Sequence, residues 1–409
     1  MGDMKIIPEG WHKIPIGDCI VEHKKSPIKV DDAANFGQYP FFTSGDTISK
    51  HTSFLVENEN IYLATGGTAN VKYYNGDAAY STDTYVVSGN EKCDTKFLYY
   101  ALYLLKDYIN TNFFQGSGLK HLQKKDFKRH KLIIPISLDE QKRIAAVLTK
   151  IDDAISQSDS MIEKYELIKT GLMQDLLTFG IDEKGNIRSE KTHKFKDSPI
   201  GRIPEEWKVA NFKQLSGSIK DYIKTGPFGS SLKGEHWRET GVPVITIGSL
   251  GSDTFIEDNL LYIEQQKAEE LKAYALKEGD ILFSLVADVG RALIIDKGHE
   301  GWVMSSNFMR LRIDVEIMNP LIINCVIKYS KDFKCQIQEN VNSSGRSVTN
   351  TSILNSFLIP YMDVKEQQRI IRSVNNAVQA ISCLYRDYEI LLSQKKGLLF
   401  DLLTGKTRI

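Results

Sequence analysis

Five residues, Glu140-Gln141-Lys142-Arg143-Ile144, return 226 positions later as Glu366-Gln367-Gln368-Arg369-Ile370. At the same spacing Asp175-Leu176-Leu177-Thr178 returns as Asp401-Leu402-Leu403-Thr404. No gap is needed between the two matches, so the register holds over roughly ten helical turns. Each copy follows an Ile-Pro, at Ile134-Pro135 and Ile359-Pro360. Each half also opens on a related run, Pro8-Glu9-Gly10-Trp11 and Pro204-Glu205-Glu206-Trp207. Self-similarity at a fixed period constrains architecture more than any local signal does. The chain is two copies of one plan, a variable block followed by a long repeated segment. The second copy carries one more residue between its proline and its Glu-Gln, which leaves open where its helix starts.

The repeated segments have the pattern of long helices. In the first, Ile144, Ile151, Ser158, Tyr165 and Leu172 recur every seven residues, flanked by Leu148, Ile155, Ile162 and Leu176. In the second the rows are Ile370, Ala377, Leu384, Leu391 and Leu398, flanked by Val374, Ile381, Tyr388 and Leu402. No proline interrupts either, and the seam runs for about five heptads. Asp139 and Asp363 are the expected N-caps, and Gly180 and Gly405 the expected stops. Each helix would then be on the order of 58 Å long. A stripe of that length has to be covered. Each helix either packs on its own neighbouring block or pairs with the other. The pseudo-two-fold relation between the copies favours an antiparallel pair, a coiled coil with the blocks at opposite ends of a rod. Ile144, Ile151, Ile155, Ile162, Leu172, Ile370, Leu384, Leu391 and Leu398 are the residues expected to pair the helices or dock other subunits.

The expected organisation is a first block at 1–138, a helix at 139–180, a connector at 181–200, a second block at 201–364 and a second helix at 365–409. Both blocks read as mixed α/β. Short strand-like runs such as Ile61-Tyr62-Leu63-Ala64, Thr84-Tyr85-Val86-Val87, Val244-Ile245-Thr246-Ile247, Asp280-Ile281-Leu282-Phe283 and Leu293-Ile294-Ile295 are bounded by Gly, Asn and Asp. Helical stretches fall at 96–109 and 265–274. The blocks share a skeleton: 60–67 matches 280–284 with Gly290-Arg291 beyond, and Ser81-Thr82-Asp83 matches Ser305-Ser306-Asn307.

Near its end each block carries a Ser/Gly turn followed by basic groups, Ser117-Gly118-Leu119-Lys120-His121 and Ser343-Ser344-Gly345-Arg346-Ser347. Such loops suit a nucleic-acid surface. Small residues let the backbone approach phosphates, Ser and Thr donate to them, and Arg, Lys and Asn reach base edges. The DNA-contact candidates in the first block are Lys50, His51, Thr65, Asn70, Lys72, Tyr73, Ser117, Lys120 and His121. In the second they are Thr225, Ser230, Ser231, Lys233, His236, Arg291, Ser344, Arg346 and Ser347.

Composition removes other classes. No run of about 18 apolar residues exists, so no membrane span is expected. Residues 1–10 lack the pattern of a signal peptide. Five scattered cysteines without a CxxC pair argue against zinc and for free thiols in a reducing cytoplasm. The chain has no GxxxxGK[ST], no Asn-Pro-Pro-Tyr-like run, no GxSxG and no HExxH. No metal site and no catalytic set is expected. A DNA endonuclease hidden among the carboxylates is the enzymatic alternative, and a bare helical scaffold is a third reading. With 52 Lys+Arg against 52 Asp+Glu the net charge is zero. A DNA-binding chain without net positive charge has to segregate its charge or lean on a partner.

The proline followed by Glu-Gln-x-Arg-Ile, the long helix and the closing Asp-Leu-Leu-Thr, all repeated in one register, resemble the specificity subunits of Type I restriction–modification enzymes. Gly226-Pro227-Phe228-Gly229-Ser230 is similar to their recognition domains. The resemblance spans essentially the whole chain. It implies two target recognition domains, each reading half of a split asymmetric DNA site, separated by helices that set the unread spacer. It implies docking of two methyltransferase subunits that bind S-adenosylmethionine and methylate adenine. It leaves room for a restriction subunit with ATP-driven translocation, supplied with ATP and magnesium. This chain itself would bind no cofactor and do no chemistry.

Overall fold

The computed structural model describes residues 7–32, 36–286, 289–344 and 350–409. The chain divides into two compact units, Met1–Met161 with Leu384–Ile409, and Ile162–Cys383. These units do not follow the sequence blocks. The long helices Leu138–Thr178 and Val364–Leu403 each contribute one end to each unit.

In the first unit an antiparallel sheet runs in the order Ile20–Glu22, Thr84–Gly89, Glu59–Ala64, Val71–Asn75. A second sheet sets Tyr39–Phe42 between antiparallel Ser49–His51 and parallel Ala79–Tyr80. Glu59–Ala64 is buried on both faces, which explains its nearly continuous apolar run. Its Tyr62 stacks on Phe42 at 3.9 Å on one side, and Ile61 and Leu63 join the main core on the other. The helix Thr95–Leu104 covers that side, capped by Asp94, whose carboxylate accepts from the Phe97 amide.

The second unit repeats this topology with different residues. Its four-stranded sheet runs Ile223–Thr225, Phe308–Leu311, Ile281–Ser284, Ala292–Ile294. Its smaller sheet sets Val242–Ile245 between antiparallel Leu261–Ile263 and parallel Val303–Met304. The covering helix is Pro320–Tyr329, capped by Asn319. The sequence matches 60–67 with 280–284 and 81–83 with 305–307 fall on equivalent strands and turns of these two sheets.

The two views of helix packing are both right in part. In the first unit Ile144, Ala145 and Leu148 from the start of one long helix share a core with Leu399, Leu402 and Leu403 from the end of the other. Trp11, Phe97 and Tyr100 of the neighbouring block complete that core. In the second unit Met173, Leu176 and Leu177 meet Ile370 and Val374 in the same way, beside Trp207 and Phe357. The helices are therefore antiparallel, and their ends are also domain core. Of the expected pairing residues, Ile144, Ile162 and Ile370 are buried, and Ile151, Ile155, Leu172, Leu384, Leu391 and Leu398 are half-buried. Tyr165, placed on the seam by its heptad position, is exposed.

Several local expectations shift. Asp139 lies inside the first turn, and the residue preceding the helix is Ser137. Its hydroxyl accepts from the Glu140 amide at 3.4 Å and its carbonyl from the Gln141 amide at 3.2 Å. Asp363 caps as expected, accepting the Glu366 amide at 2.9 Å. Ser137 and Asp363 stand 226 residues apart, so the repeat register already begins at the cap. The extra residue of the second copy falls earlier, in the strand Leu358–Tyr361. Both helices end just before a glycine in the left-handed region, Gly180 (φ +68°) and Gly405 (φ +69°). The stretch 96–109 is two helices that break at Leu105, and only 265–270 of the stretch 265–274 is α-helical. Residues 181–200 are more than a connector. They pair Ile181 with Ile187, supply the strand Phe195–Ser198, and place Arg188 in the core. No helix among the described residues is long and apolar enough to cross a membrane.

Candidate nucleic-acid interface

The Glu-Gln pairs of the repeated motif are buried and architectural. Glu366 is 1% exposed and takes the Trp207 indole N–H at 3.0 Å, the Ile181 amide at 2.9 Å and both arms of the Arg188 guanidinium, one of them at 3.1 Å. Its counterpart Glu140 takes the Trp11 indole N–H at 3.3 Å and two N–H groups of Arg408 at 2.6 and 3.0 Å. In each unit the carboxylate that opens one long helix is thus held by the tryptophan that opens the block and an arginine lying just beyond the end of the other helix. The adjacent glutamines do equivalent work. Gln141 accepts the Asp94 amide at 2.8 Å and donates to the Lys92 and Pro135 carbonyls. Gln367 accepts the Asn319 amide at 2.9 Å and donates to the Ile317 and Met362 carbonyls. Asp94 and Asn319 cap the covering helices, so each glutamine ties a covering helix to a long one.

The candidate DNA-contact residues lie elsewhere, on loops. In the first domain the turn 115–122 folds onto the end of the strand Glu59–Ala64. Gly66 bridges to His121, the Gly67 amide donates to the Lys120 carbonyl at 2.9 Å, and the Leu122 amide to the Thr65 carbonyl at 3.0 Å. This brings Thr65, Lys120 and His121 onto one surface, the last two exposed. Loop 43–46 is drawn toward it by Asn70, which donates to Asp46 at 2.9 Å, and by the Lys72 ammonium, which donates to the Thr43 carbonyl at 3.2 Å and the Gly45 carbonyl. Burial pushes the Lys72 ammonium down from the usual lysine range, with Asp46 opposing. Lys72 and Asn70 hold this loop. Tyr73 faces the other way, against Tyr99, with its hydroxyl donating to Glu59 at 2.6 Å. Ser117 is exposed on the turn. Lys50 and His51 lie on the smaller sheet, where the His51 ring accepts the Ser53 amide at 3.1 Å.

In the second domain Thr225, Ser230, Ser231, Lys233 and His236 follow one another along the loop that leaves the strand Ile223–Thr225. Thr225, Ser230 and Lys233 are exposed. His236 accepts the Lys233 amide at 2.9 Å. Arg291 comes from the connection after the strand Ile281–Ser284, where its amide donates to the Ser284 hydroxyl at 3.0 Å. It donates to the Leu250 carbonyl and to the Gly251 carbonyl at 3.3 Å, on the wall of a cavity of about 490 Å³ that Lys328, Asp253 and Tyr329 also line. Arg346 and Ser347 lie outside the described residues, as does the side chain of Ser344 at the end of the helix Lys331–Ser344. Leu119 and Phe228 lie inside the candidate loops, and both are strongly exposed there. Their signal was available, because an apolar residue set among glycines and serines has no periodic stripe to join.

No group of three or more His, Cys, Asp or Glu among the described residues is placed to hold a metal. Polar loops on twin scaffolds are suited to recognition. The family model for the Type I restriction modification DNA specificity domain matches residues 8–164 and 204–382. The specificity subunit of type I restriction enzyme MjaVIII from Methanocaldococcus jannaschii is 25% identical over 430 residues, with 98% of this chain and 94% of that protein covered. The EcoDI specificity subunit from Escherichia coli is 27% identical over 228 residues, covering 51% of this chain and 50% of that one. Among solved structures, the Type-I restriction-modification S subunit from M. genitalium aligns with a TM-score of 0.60 at 17% identity over 98% of both chains. A chain solved in work on complex assembly and conformational transition of the type I R-M system aligns at 0.59 and 12% identity, over 98% of this chain and 100% of that one. These two likenesses concern the fold. With its two matched regions, the chain belongs to the type I restriction–modification specificity family, the non-catalytic DNA-recognition subunits of those systems.

Proposed function

We propose that the two domains each read one half of a split, asymmetric site in double-stranded DNA, and that the paired helices fix the unread spacer between the halves. The observation that carries this reading is the twin scaffold. The two domains share one topology and one Glu–Trp–Arg lock, and they differ in the loops that present Thr65, Lys120 and His121 in one and Thr225, Ser230, Ser231 and Lys233 in the other. Different loops on equal frames suit two unlike half-sites.

The partners are two methyltransferase subunits that bring S-adenosylmethionine and methylate adenine, docked on the outer faces of the long helices. Met161, Leu167, Ile168, Tyr385, Ile390 and Phe400 are apolar and exposed there, which supports that role. A restriction and translocation subunit with ATP and magnesium completes the system where present. The assembly works in the cytoplasm. Mapping methylated adenines in the host genome, with and without this gene, tests the reading. The expected result is loss of one motif made of two short halves with a fixed gap. An unsplit palindrome would overturn it.

A further inference from the structure

Phe228 is 83% exposed, more than any other large apolar side chain among the described residues. Single apolar residues on a surface are common and need no role. Phe228 differs in how firmly its backbone is fixed. Before it, the Gly226 amide donates to the Phe308 carbonyl at 2.9 Å. Gly226 lies so close to the next turn that a Cβ would meet the Ser305 carbonyl carbon at 2.6 Å. Pro227 is buried. After it, the Ser231 amide donates back to the Phe228 carbonyl at 2.8 Å. Anchored on both sides in an extended conformation (φ −58°, ψ 149°), the ring is held out and has no path into the core.

The ordering cost of presenting the ring is therefore borne before any partner arrives. Ser230, Ser231 and Lys233 follow within five residues, and their hydroxyls and ammonium suit phosphate oxygens. An apolar ring between such donors has the chemistry of a base contact, since it meets a thymine methyl in the major groove or a base step it partly unstacks. The topologically equivalent connection of the first domain, 23–38, also exposes a phenylalanine, Phe36, at 73%.

We infer that Phe228 is a specificity-determining DNA contact of the second domain, its ring set against base pairs while the neighbouring Ser and Lys side chains hold the backbone. The inference rests on the reading of the chain as a DNA-recognition subunit.

The test is selection of bound duplexes from a random library by the full-length chain, wild type and Phe228→Ala, followed by binding titrations on the selected duplex at several salt concentrations. The exposed ring makes no core contact, so the variant is expected to keep the wild-type melting temperature. Affinity for the selected duplex should fall on the order of tenfold. Specificity should relax in one half-site only, and the slope of log K against log salt should not change, because no phosphate contact is lost. Uracil in place of thymine in that half-site separates a methyl contact from unstacking, which 2-aminopurine fluorescence reports. Either result upholds the inference. Wild-type affinity and selectivity in Phe228→Ala would overturn it, and lost co-purification of methyltransferase subunits alongside that result would assign the ring to a protein partner. A wild-type chain that selects no split motif, either alone or assembled with its methyltransferase subunits, would remove the parent reading and this inference with it.

Discussion

Glu140 and Glu366 are one residue of the repeat in two dielectric settings. Glu366 and Arg188 are 1% and 7% exposed, whereas Arg408, the partner of Glu140, is 47% exposed. Removing one member of a buried pair leaves the other charge without compensation, which costs about 3–5 kcal/mol. A pair open to water on one side is worth far less, because solvent takes over the exposed partner. Glu366→Ala is therefore expected to destabilise its unit by about 3 kcal/mol or more, and Glu140→Ala by about 1 kcal/mol. Urea unfolding of each variant beside the wild type, followed by circular dichroism and fluorescence, checks this. Equal losses at the two sites would refute the argument from burial. The sequence announced these glutamates as the most specific motif in the chain, yet not what they do. The lock residues Trp11 and Arg408 come from opposite ends of the chain, and no local period connects them. The DNA-contact candidates were legible only as loops, because whether a lysine reaches a phosphate or, like Lys72, a neighbouring carbonyl depends on contacts between distant turns.

At the scale of elements the long helices were the most legible, because their heptad pattern is local and repeats many times. The cap at Ser137 was missed for the opposite reason: one hydroxyl decides it, and Asp139 is an equally good cap by composition. The helices span 41 and 40 residues, and their ends are fixed in domain cores while their middles are half-buried. Length can thus be added in the middle without disturbing either lock. Because the helices are antiparallel, the addition has to be matched. One heptad after Ser158 together with one after Cys383 lengthens the pair by about 10 Å, or about three base pairs of duplex. The methylated motif should keep both half-sites and gain that many unread positions. Altered half-sites would count against the helices as a ruler. A heptad in one helix alone leaves seven residues unopposed, and the expected outcome is a destabilised chain.

For the molecule as a whole, the duplicated plan and the antiparallel pairing of the helices were visible in the sequence, and the exchange of helix ends between units was not, because the repeat does not say which block's core each helix end enters. Charge belongs to the same scale. With 52 basic and 52 acidic residues, the chain has no net field to draw a polyanion toward it. Each phosphate neutralised by Lys or Arg releases counterions and steepens the fall of log K with log salt by about 0.9. The loop candidates in the described residues include few exposed lysines, Lys50, Lys120 and Lys233 among them. The isolated chain is therefore expected to bind its duplex with a shallow slope, on the order of two to four. On the proposed reading the methyltransferase subunits enclose the same duplex and add their own phosphate contacts. The assembled complex should then show a distinctly steeper slope and tighter binding while selecting the same bases. Titrations of the chain alone and of the complex, across a range of salt concentrations, measure both quantities. An isolated chain with the slope and affinity of the complex would mean that this chain carries the electrostatic interface itself, against what its neutral composition implies.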